Sequence, residues 1–202
     1  WALDIPNILC LYGDEVKGGD QPDTKEVRDL DTIGLLKTAH EIKTQKMYPS
    51  GRKINDAPEF FIGGADTPFK IDNDFNGSNL RKKIDSGVEF FQTQYAFDED
   101  ILKNYMLKLN DLHITNKAYF IIGLGVIKSA KSARWMNKNL FGINIPEKII
   151  NRIEQSSDES LEGIKICTEL VEKYKSIEGV SGIHLMGYKQ EKEIASVISH
   201  FK

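Results

Sequence analysis

Five short apolar segments recur along the chain, separated by longer stretches in which apolar residues follow a helical period. The segments are nearly continuous in apolar residues rather than alternating, which is typical of strands covered on both faces in a parallel sheet. They predict strands at Ile8–Tyr12, Phe60–Gly63, Val88–Gln94, Ala118–Gly123 and Ile183–Gly187. A chain in which such strands alternate with helices is an α/β protein.

Four amphipathic stripes lie between and after the strands and predict helices. They are Leu80 with Ile84, the apolar positions of 101–109, those of 161–174, and those of 194–201. The polar stretches 44–58 and 66–78 predict surface loops with turn chemistry. This alternation fits a doubly wound sheet, which five strands could complete, or an eight-stranded barrel, of which five strands would be the later part.

Composition and charge narrow the class of protein. The chain has 202 residues, 40% hydrophobic and 28% charged, and a net charge of -3, which indicates a globular protein and disfavours general nucleic-acid binding. No apolar run approaches the roughly 20 residues of a membrane helix. Neither Cys10 nor Cys167 lies in a cysteine-rich framework, so we expect reduced, buried thiols and a cytoplasmic protein. We expect one domain over 1–202, and, because no initiator methionine is present, a piece of a longer protein.

The residues at the carboxyl ends of the predicted strands are expected to lie at the same edge of the sheet. In α/β proteins this edge carries the functional site. They are Gly13-Asp14, Gly63-Gly64-Ala65-Asp66, Gln92 with Gln94, Gly123 with Gly125, and His184. Glycines there let the backbone approach a ligand, and a glutamine offers both a donor and an acceptor to a heterocycle. Structural alternatives stay open: Asp14 as a turn cap, Gln94 as a partner of backbone amides, and His184 as a hydrogen-bonded core residue. No Cys/His cluster has metal-ligand spacing.

Several stretches together resemble the methylenetetrahydrofolate reductase family. The matching stretches are "NILCLYGDEVKGGDQP" (7–22), "FFIGGADTP" (60–68), "NLRKKIDSGVEFFQTQYAFD" (79–98) and 123–187, in collinear order. The resemblance covers nearly the whole chain and corresponds to the C-terminal two-thirds of the family. It implies a (β/α)8 TIM barrel, with this chain supplying about the last five βα units.

The resemblance also implies an activity. Members reduce 5,10-methylenetetrahydrofolate to 5-methyltetrahydrofolate by ping-pong hydride transfer from NADH or NADPH through FAD, an oxidoreductase reaction of one-carbon metabolism. Asp14 falls on the family aspartate beside the flavin, where a carboxylate could accept hydrogen bonds from a pterin and orient it. Gln94 matches the glutamine that binds folate. These two are the predicted catalytic residues. The predicted cofactor-binding set is Gly13, Asp14, Ala65, Thr67, Asn76 (or Asp74) and Lys83, with no metal site.

Two hypotheses of function remain as alternatives to the reductase. Nothing in the chain corresponds to the family's first strands, one of which carries a glutamate acid. The alternative is therefore a non-catalytic or accessory fragment that binds flavin or folate. A third hypothesis is a barrel glycosidase with Asp14 and Asp20 as paired carboxylates, although nothing in the sequence fixes the distance between the two carboxylates. The partners expected are a folate and a nicotinamide cofactor, with no nucleic acid and no membrane. The sequence leaves a homo-oligomer and the choice between NADH and NADPH open.

Overall fold

The computed structural model describes residues 1–13 and 15–202, and in these ranges it contains five strands and seven α-helices. The strands are β1 (Asn7–Cys10), β2 (Phe61–Asp66), β3 (Phe90–Tyr95), β4 (Tyr119–Leu124) and β5 (Val180–Leu185). The helices are α1 (Thr32–Gln45), α2 (Ser78–Asp85), α3 (Glu99–Asp111), α4 (Ala130–Asn139), α5 (Glu147–Glu154), α6 (Glu159–Tyr174) and α7 (Glu191–Ser199). A short 3-10 helix lies at Val16–Gly18.

The strands form one sheet in the order β1-β2-β3-β4-β5, so each strand neighbours the next one in sequence. β1 pairs in parallel with β2, with Asn7 opposite Phe61, and β4 pairs in parallel with β5, with Gly123 opposite His184. The predicted α/β class with a parallel five-stranded sheet is therefore confirmed. Closure into a barrel stays a prediction.

The Cα positions divide the chain into two compact units, which are described separately. The first unit comprises Trp1–Ala65 and Ser78–Phe91. Its core is built by the buried faces of α1, α2 and β2, and its fully buried side chains include Leu36 and Ile62. Gly63 is needed here because a Cβ at this position would overlap the ring of Phe90, a residue that is itself buried.

The second unit comprises Asp66–Gly77 and Gln92–Lys202. Helix α6 is its centre and packs against β4, β5, α5 and α7. Gly163 lets α6 approach closely, because a Cβ at this position would overlap the backbone of Ile127. The buried Tyr174 of the same helix donates a hydrogen bond to the Ala96 carbonyl oxygen at 2.8 Å, which ties α6 to the end of β3.

All five predicted strands exist, but their bounds differ from the predictions. β1 ends at Cys10, before the predicted Tyr12, and β5 runs over Val180–Leu185 rather than 183–187. β2 continues through Gly63-Gly64-Ala65-Asp66, although the glycines there led us to predict that the strand ends at Gly63. The strand persists because neighbouring side chains, rather than solvent, fill the space beside both glycines.

Three helices, α1, α4 and α5, were not predicted from the apolar pattern, whereas α2, α3, α6 and α7 were. The expectation that every strand is covered on both faces is also wrong. The residues of β1 and β5 are mostly half-exposed, since each of these strands stands at an end of the strand order. In the described part of the chain, no helix is both long and apolar enough to cross a membrane.

Candidate functional site

The loop after β1 contains the first predicted site residues. Asp14, predicted to be catalytic, lies outside the described residues. Its neighbour Gly13 is exposed, with open space where a side chain would be, and its carbonyl oxygen accepts a hydrogen bond from Arg28 Nη1 at 2.9 Å. The guanidinium of Arg28 also lies 4.3 Å from the centre of the Tyr12 ring. Arg28 was not predicted, because a contact between loop residues so far apart in sequence follows no period.

Ala65 and Lys83, both in the first unit, are brought together. Ala65 lies near the carboxyl end of β2, and Lys83 lies in the last turn of α2. The Lys83 ammonium donates a hydrogen bond to the Ala65 carbonyl oxygen at 2.5 Å, and both residues are half-buried. Lys82, the next residue on the helix, is exposed. A cation is therefore fixed at a strand end by a backbone acceptor.

Gln92 and His184, both in the second unit, form a half-buried polar pair. Gln92 Nε2 lies 3.0 Å from His184 Nε2. Burial lowers the pKa of His184 by disfavouring the imidazolium, so a neutral ring can accept the amide hydrogen at Nε2. The expectation of a hydrogen-bonded histidine is confirmed, although His184 is half-buried rather than in the core.

Gln94 is half-buried near the end of β3, two residues after Gln92. Its side-chain oxygen accepts a hydrogen bond from the Tyr95 backbone at 3.0 Å, the structural role that the sequence left open. Its Nε2 makes no hydrogen bond to any residue within 1–13 and 15–202. The oxygen is thus engaged by the strand, while the amide hydrogens remain available to another group.

Thr67, Asn76 and Asp66 lie in the second unit around the segment that follows β2. Thr67 is half-buried, and its methyl group packs against Gly142, whose φ of 74° needs a glycine. Asn76 is exposed.

The buried Tyr105 donates its hydroxyl hydrogen to the Asp66 carboxylate, whose two oxygens lie 2.9 and 3.1 Å away. Burial is the main cause that raises the Tyr105 pKa, and the nearby Asp66 carboxylate raises it further. The phenol therefore stays protonated. Asp66 therefore anchors the segment to α3.

The family model for methylenetetrahydrofolate reductase matches residues 1–202, which is the whole chain. The chain belongs to the methylenetetrahydrofolate reductase family. The family assignment made from the sequence motifs is thereby confirmed.

A curated member of the methylenetetrahydrofolate reductase family and one solved structure are similar to the chain. The relative, named "Probable methylenetetrahydrofolate reductase (NADPH)" from Caenorhabditis elegans, is 24% identical over 202 residues, which cover 98% of this chain. The chain spans 28% of the length of that relative. The structure is titled "Uncharacterized protein from Clostridium thermocellum binds two copies of 5-methyl-5,6,7,8-tetrahydrofolic acid". It has a TM-score of 0.48 and 18% identity, and the match covers 80% of this chain and 67% of that one, which is too low a similarity to carry an argument.

Proposed function

We propose that the chain is part of a flavin-dependent methylenetetrahydrofolate reductase that converts 5,10-methylenetetrahydrofolate into 5-methyltetrahydrofolate by a ping-pong reaction with NADH or NADPH. The observation that carries the proposal is the match of the family model to all of residues 1–202. The name of the nematode relative agrees with an oxidoreductase of this kind.

The side chains present fit FAD in their chemistry. A dinucleotide needs a cation for its diphosphate, and the Lys83 ammonium is half-buried and held by the Ala65 carbonyl oxygen. An isoalloxazine or pterin edge needs hydrogen-bond donors and acceptors, and Gln94 keeps the hydrogens of its Nε2 available among the described residues. When bound, FAD would supply the group that takes a hydride from the nicotinamide and passes it to the folate.

Each predicted residue then has a stated role in the proposal. Lys83 and the backbone at Gly13 and Ala65 hold the cofactor, with Thr67 and Asn76 as its further contacts. Gln94 donates to the bound folate from Nε2 while the strand fixes its oxygen. Asp14 accepts hydrogen bonds from the pterin and orients its ring for transfer.

The proposal includes the architecture of the family. We infer a (β/α)8 barrel domain, of which residues 1–202 supply about the last five βα units. The strand order β1-β2-β3-β4-β5 supports this inference, because a barrel likewise places each strand beside the next one in sequence. The free, buried Cys10 and Cys167 support the proposed cytoplasmic location.

The colour of the purified protein, prepared at its natural length, tests the activity. A yellow protein that bleaches with reduced nicotinamide and regains colour with methylenetetrahydrofolate is the expected result. Parallel reactions with NADH and NADPH identify the donor. A colourless protein that takes up no FAD would contradict the proposal and favour a non-catalytic member of the family.

Lys83→Met tests the cofactor site without relying on turnover. Loss of one charged hydrogen-bond donor, worth about 1.5–3 kcal/mol, should weaken FAD binding by roughly 10- to 100-fold in a fluorescence titration of the apoprotein. Lys82→Met is the matched control, because this neighbour on α2 is exposed, and it should change the affinity little. Equal affinities of the two variants for FAD would remove Lys83 from the site.

A further inference from the structure

The contact between Gln92 and His184 joins two strands that are not neighbours. Gln92 lies in β3 and His184 near the carboxyl end of β5, and β4 lies between these strands. Adjacent strands are about 4.8 Å apart, so the backbones of β3 and β5 are separated by roughly 10 Å. The two side chains nevertheless meet, with Nε2 of one 3.0 Å from Nε2 of the other. They must therefore stand on the same face of the sheet.

Gly123 of β4 contributes no side chain to the space between them. This glycine is the register partner of His184. A Cβ at this position would overlap the carbonyl oxygens of Thr93 and Gln94 and the methyl group of Met186. Met186 follows His184 by two residues and so points to the same side of the chain. Glycine is needed here, and the residue opposite His184 leaves the pair free to meet.

The two facing atoms determine where the imidazole carries its proton. An amide nitrogen donates hydrogen bonds and accepts none, so His184 Nε2 must be the acceptor from Gln92. The hydrogen of the neutral ring is then on Nδ1. Burial acts in the same direction, because it lowers the His184 pKa by disfavouring the imidazolium. Gln92 thus selects one tautomer of an uncharged ring.

The Nδ1–H of His184 remains available to another molecule. In the described part of the chain, 1–13 and 15–202, His184 Nδ1 makes no hydrogen bond, and neither does Gln94 Nε2. Gln94 lies two residues after Gln92 and therefore on the same side of β3. Two uncharged donors, one amide and one imidazole, thus stand on one face of the sheet near the carboxyl ends of β3 and β5.

The other histidines of the second unit provide an internal comparison. His113 and His200 are both exposed. Neither ring makes a hydrogen bond to residues 1–13 or 15–202, and the His200 ring packs only edge-on against Phe201. Their tautomers are left to solvent, whereas a partner at Nε2 distinguishes His184.

We propose that Gln92 is a positioning residue, which fixes His184 as the neutral Nδ1–H tautomer and so makes His184 a second hydrogen-bond donor to the folate, beside Gln94. The contact at Nε2 and the available Nδ1–H carry the first part of the proposal. The identity of the acceptor rests on the proposed function, in which Gln94 donates to the same substrate. The pterin of a folate offers carbonyl and ring-nitrogen acceptors, which match uncharged N–H donors.

Nitrogen-15 NMR of the apoprotein, prepared at its natural length, tests the tautomer. The wild type should show His184 with a protonated Nδ1 and an unprotonated Nε2. Gln92→Met should shift the tautomer ratio toward Nε2–H by roughly 2- to 10-fold, which corresponds to the loss of one neutral hydrogen bond. Gln92→Glu should reverse the pattern, because a carboxylate accepts a hydrogen bond from Nε2–H. Gln155→Met, at an exposed glutamine of the same unit, is the matched control and should change nothing.

The assignment of the NMR signals is internal to the experiment. His184→Phe identifies the signals of His184 by their loss, and those of His113 and His200 should be the same in the wild type and in Gln92→Met. A protonated Nε2 in the wild type would overturn the proposal, whatever the protein catalyses. An unshifted tautomer ratio in Gln92→Met would also overturn it.

Binding of 5-methyltetrahydrofolate to the FAD-loaded protein tests the donor role. His184→Phe should raise the Kd about tenfold and Gln92→Met about threefold, because an acceptor on the folate loses its partner or meets the wrong tautomer. His184→Gln keeps an N–H donor and should recover part of the affinity, whereas Gln155→Met should leave it unchanged.

Two outcomes of the binding experiment count against His184 as a donor to folate. Unaltered folate affinity in His184→Phe would overturn the donor role. Weaker FAD binding with unaltered folate binding would overturn it as well, since His184 would then serve the flavin. A wild-type protein that binds neither FAD nor folate would refute the proposed function, and the NMR result would still decide whether Gln92 fixes the tautomer.

Discussion

Thr93 shows how one buried hydroxyl can hold two strands of the second unit together. The residue is 3% exposed, and its Oγ1 donates to the Gln94 carbonyl oxygen at 2.9 Å. Thr93 Oγ1 in turn accepts a hydrogen bond from the Gly123 N–H at 2.8 Å. Thr93 thereby fixes the backbone of the residue whose side chain is proposed to bind folate.

Thr93→Val should destabilise the protein, because valine keeps the shape and removes the acceptor of a buried N–H. The expected loss is about 1–3 kcal/mol in the free energy of unfolding, measured by chemical denaturation. Thr93→Ser keeps the hydroxyl and serves as the control, with a smaller loss. A valine variant within about 0.5 kcal/mol of the wild type would show that this hydroxyl contributes little.

The sequence predicts the orientation of a side chain where the residue lies in a regular strand or helix. Gln92 and Gln94 lie two residues apart in a predicted strand, a spacing that puts both side chains on the same side, and both are half-buried while Thr93 between them is buried. Arg28 shows the limit of this approach. Its partners Tyr12 and Gly13 lie in an irregular loop, and no periodic pattern predicts a contact made through loop geometry.

At the scale of the elements, apolar runs predicted all five strands, but only some of the helices. Helix α4 was missed because its buried face consists of Ala130 and Ala133, while its large apolar residue Trp135 is 57% exposed. Its small side chains form no visible stripe in the sequence. The end of β2 was predicted too early for a different reason. Its glycines suggested a turn, but Phe90 and Val88 fill the space beside them and the strand continues.

The capping residue of α3 offers a test at this scale. Asp98 Oδ1 accepts hydrogen bonds from the backbone of Asp100 and Ile101, both at 3.1 Å, and its Oδ2 accepts from Asn144 Nδ2 at 2.8 Å. Asp98→Ala removes all three bonds and should cost about 0.5–2 kcal/mol in the free energy of unfolding. Thermal and chemical denaturation would measure the loss.

Asp98→Asn separates the cap from the contact with Asn144. Asparagine retains one oxygen for the helix backbone, so this variant should recover most of the stability that alanine loses. If the asparagine variant were as unstable as the alanine variant, the bond from Asn144 rather than the helix cap would be the main contribution of Asp98.

For the molecule as a whole, the two cysteines report on different units. Cys10 belongs to the first unit and Cys167 to the second, and both are free and buried, as the sequence led us to expect. Burial raises the pKa of both thiols, that of Cys167 to about 12. Because the thiolate is the reactive form, neither residue should be labelled readily in the folded protein.

Thiol labelling in increasing denaturant should modify Cys10 before Cys167. Cys10 is 6% exposed and lies in a strand whose other residues are half-exposed or exposed, whereas Cys167 is 1% exposed at the centre of the second unit. Mass spectrometry of the labelled peptides measures the order, with Cys10→Ala and Cys167→Ala as single-thiol controls. Labelling of Cys167 first would show that the second unit opens more readily.

The order of the strands has a consequence for synthesis of the protein. Every strand after the first pairs with the one that precedes it in the chain. During translation, at about 5–20 residues per second, each strand therefore leaves the ribosome after its partner has been made. The sheet can grow in the direction of synthesis, and none of these pairings has to wait for a distant segment to emerge.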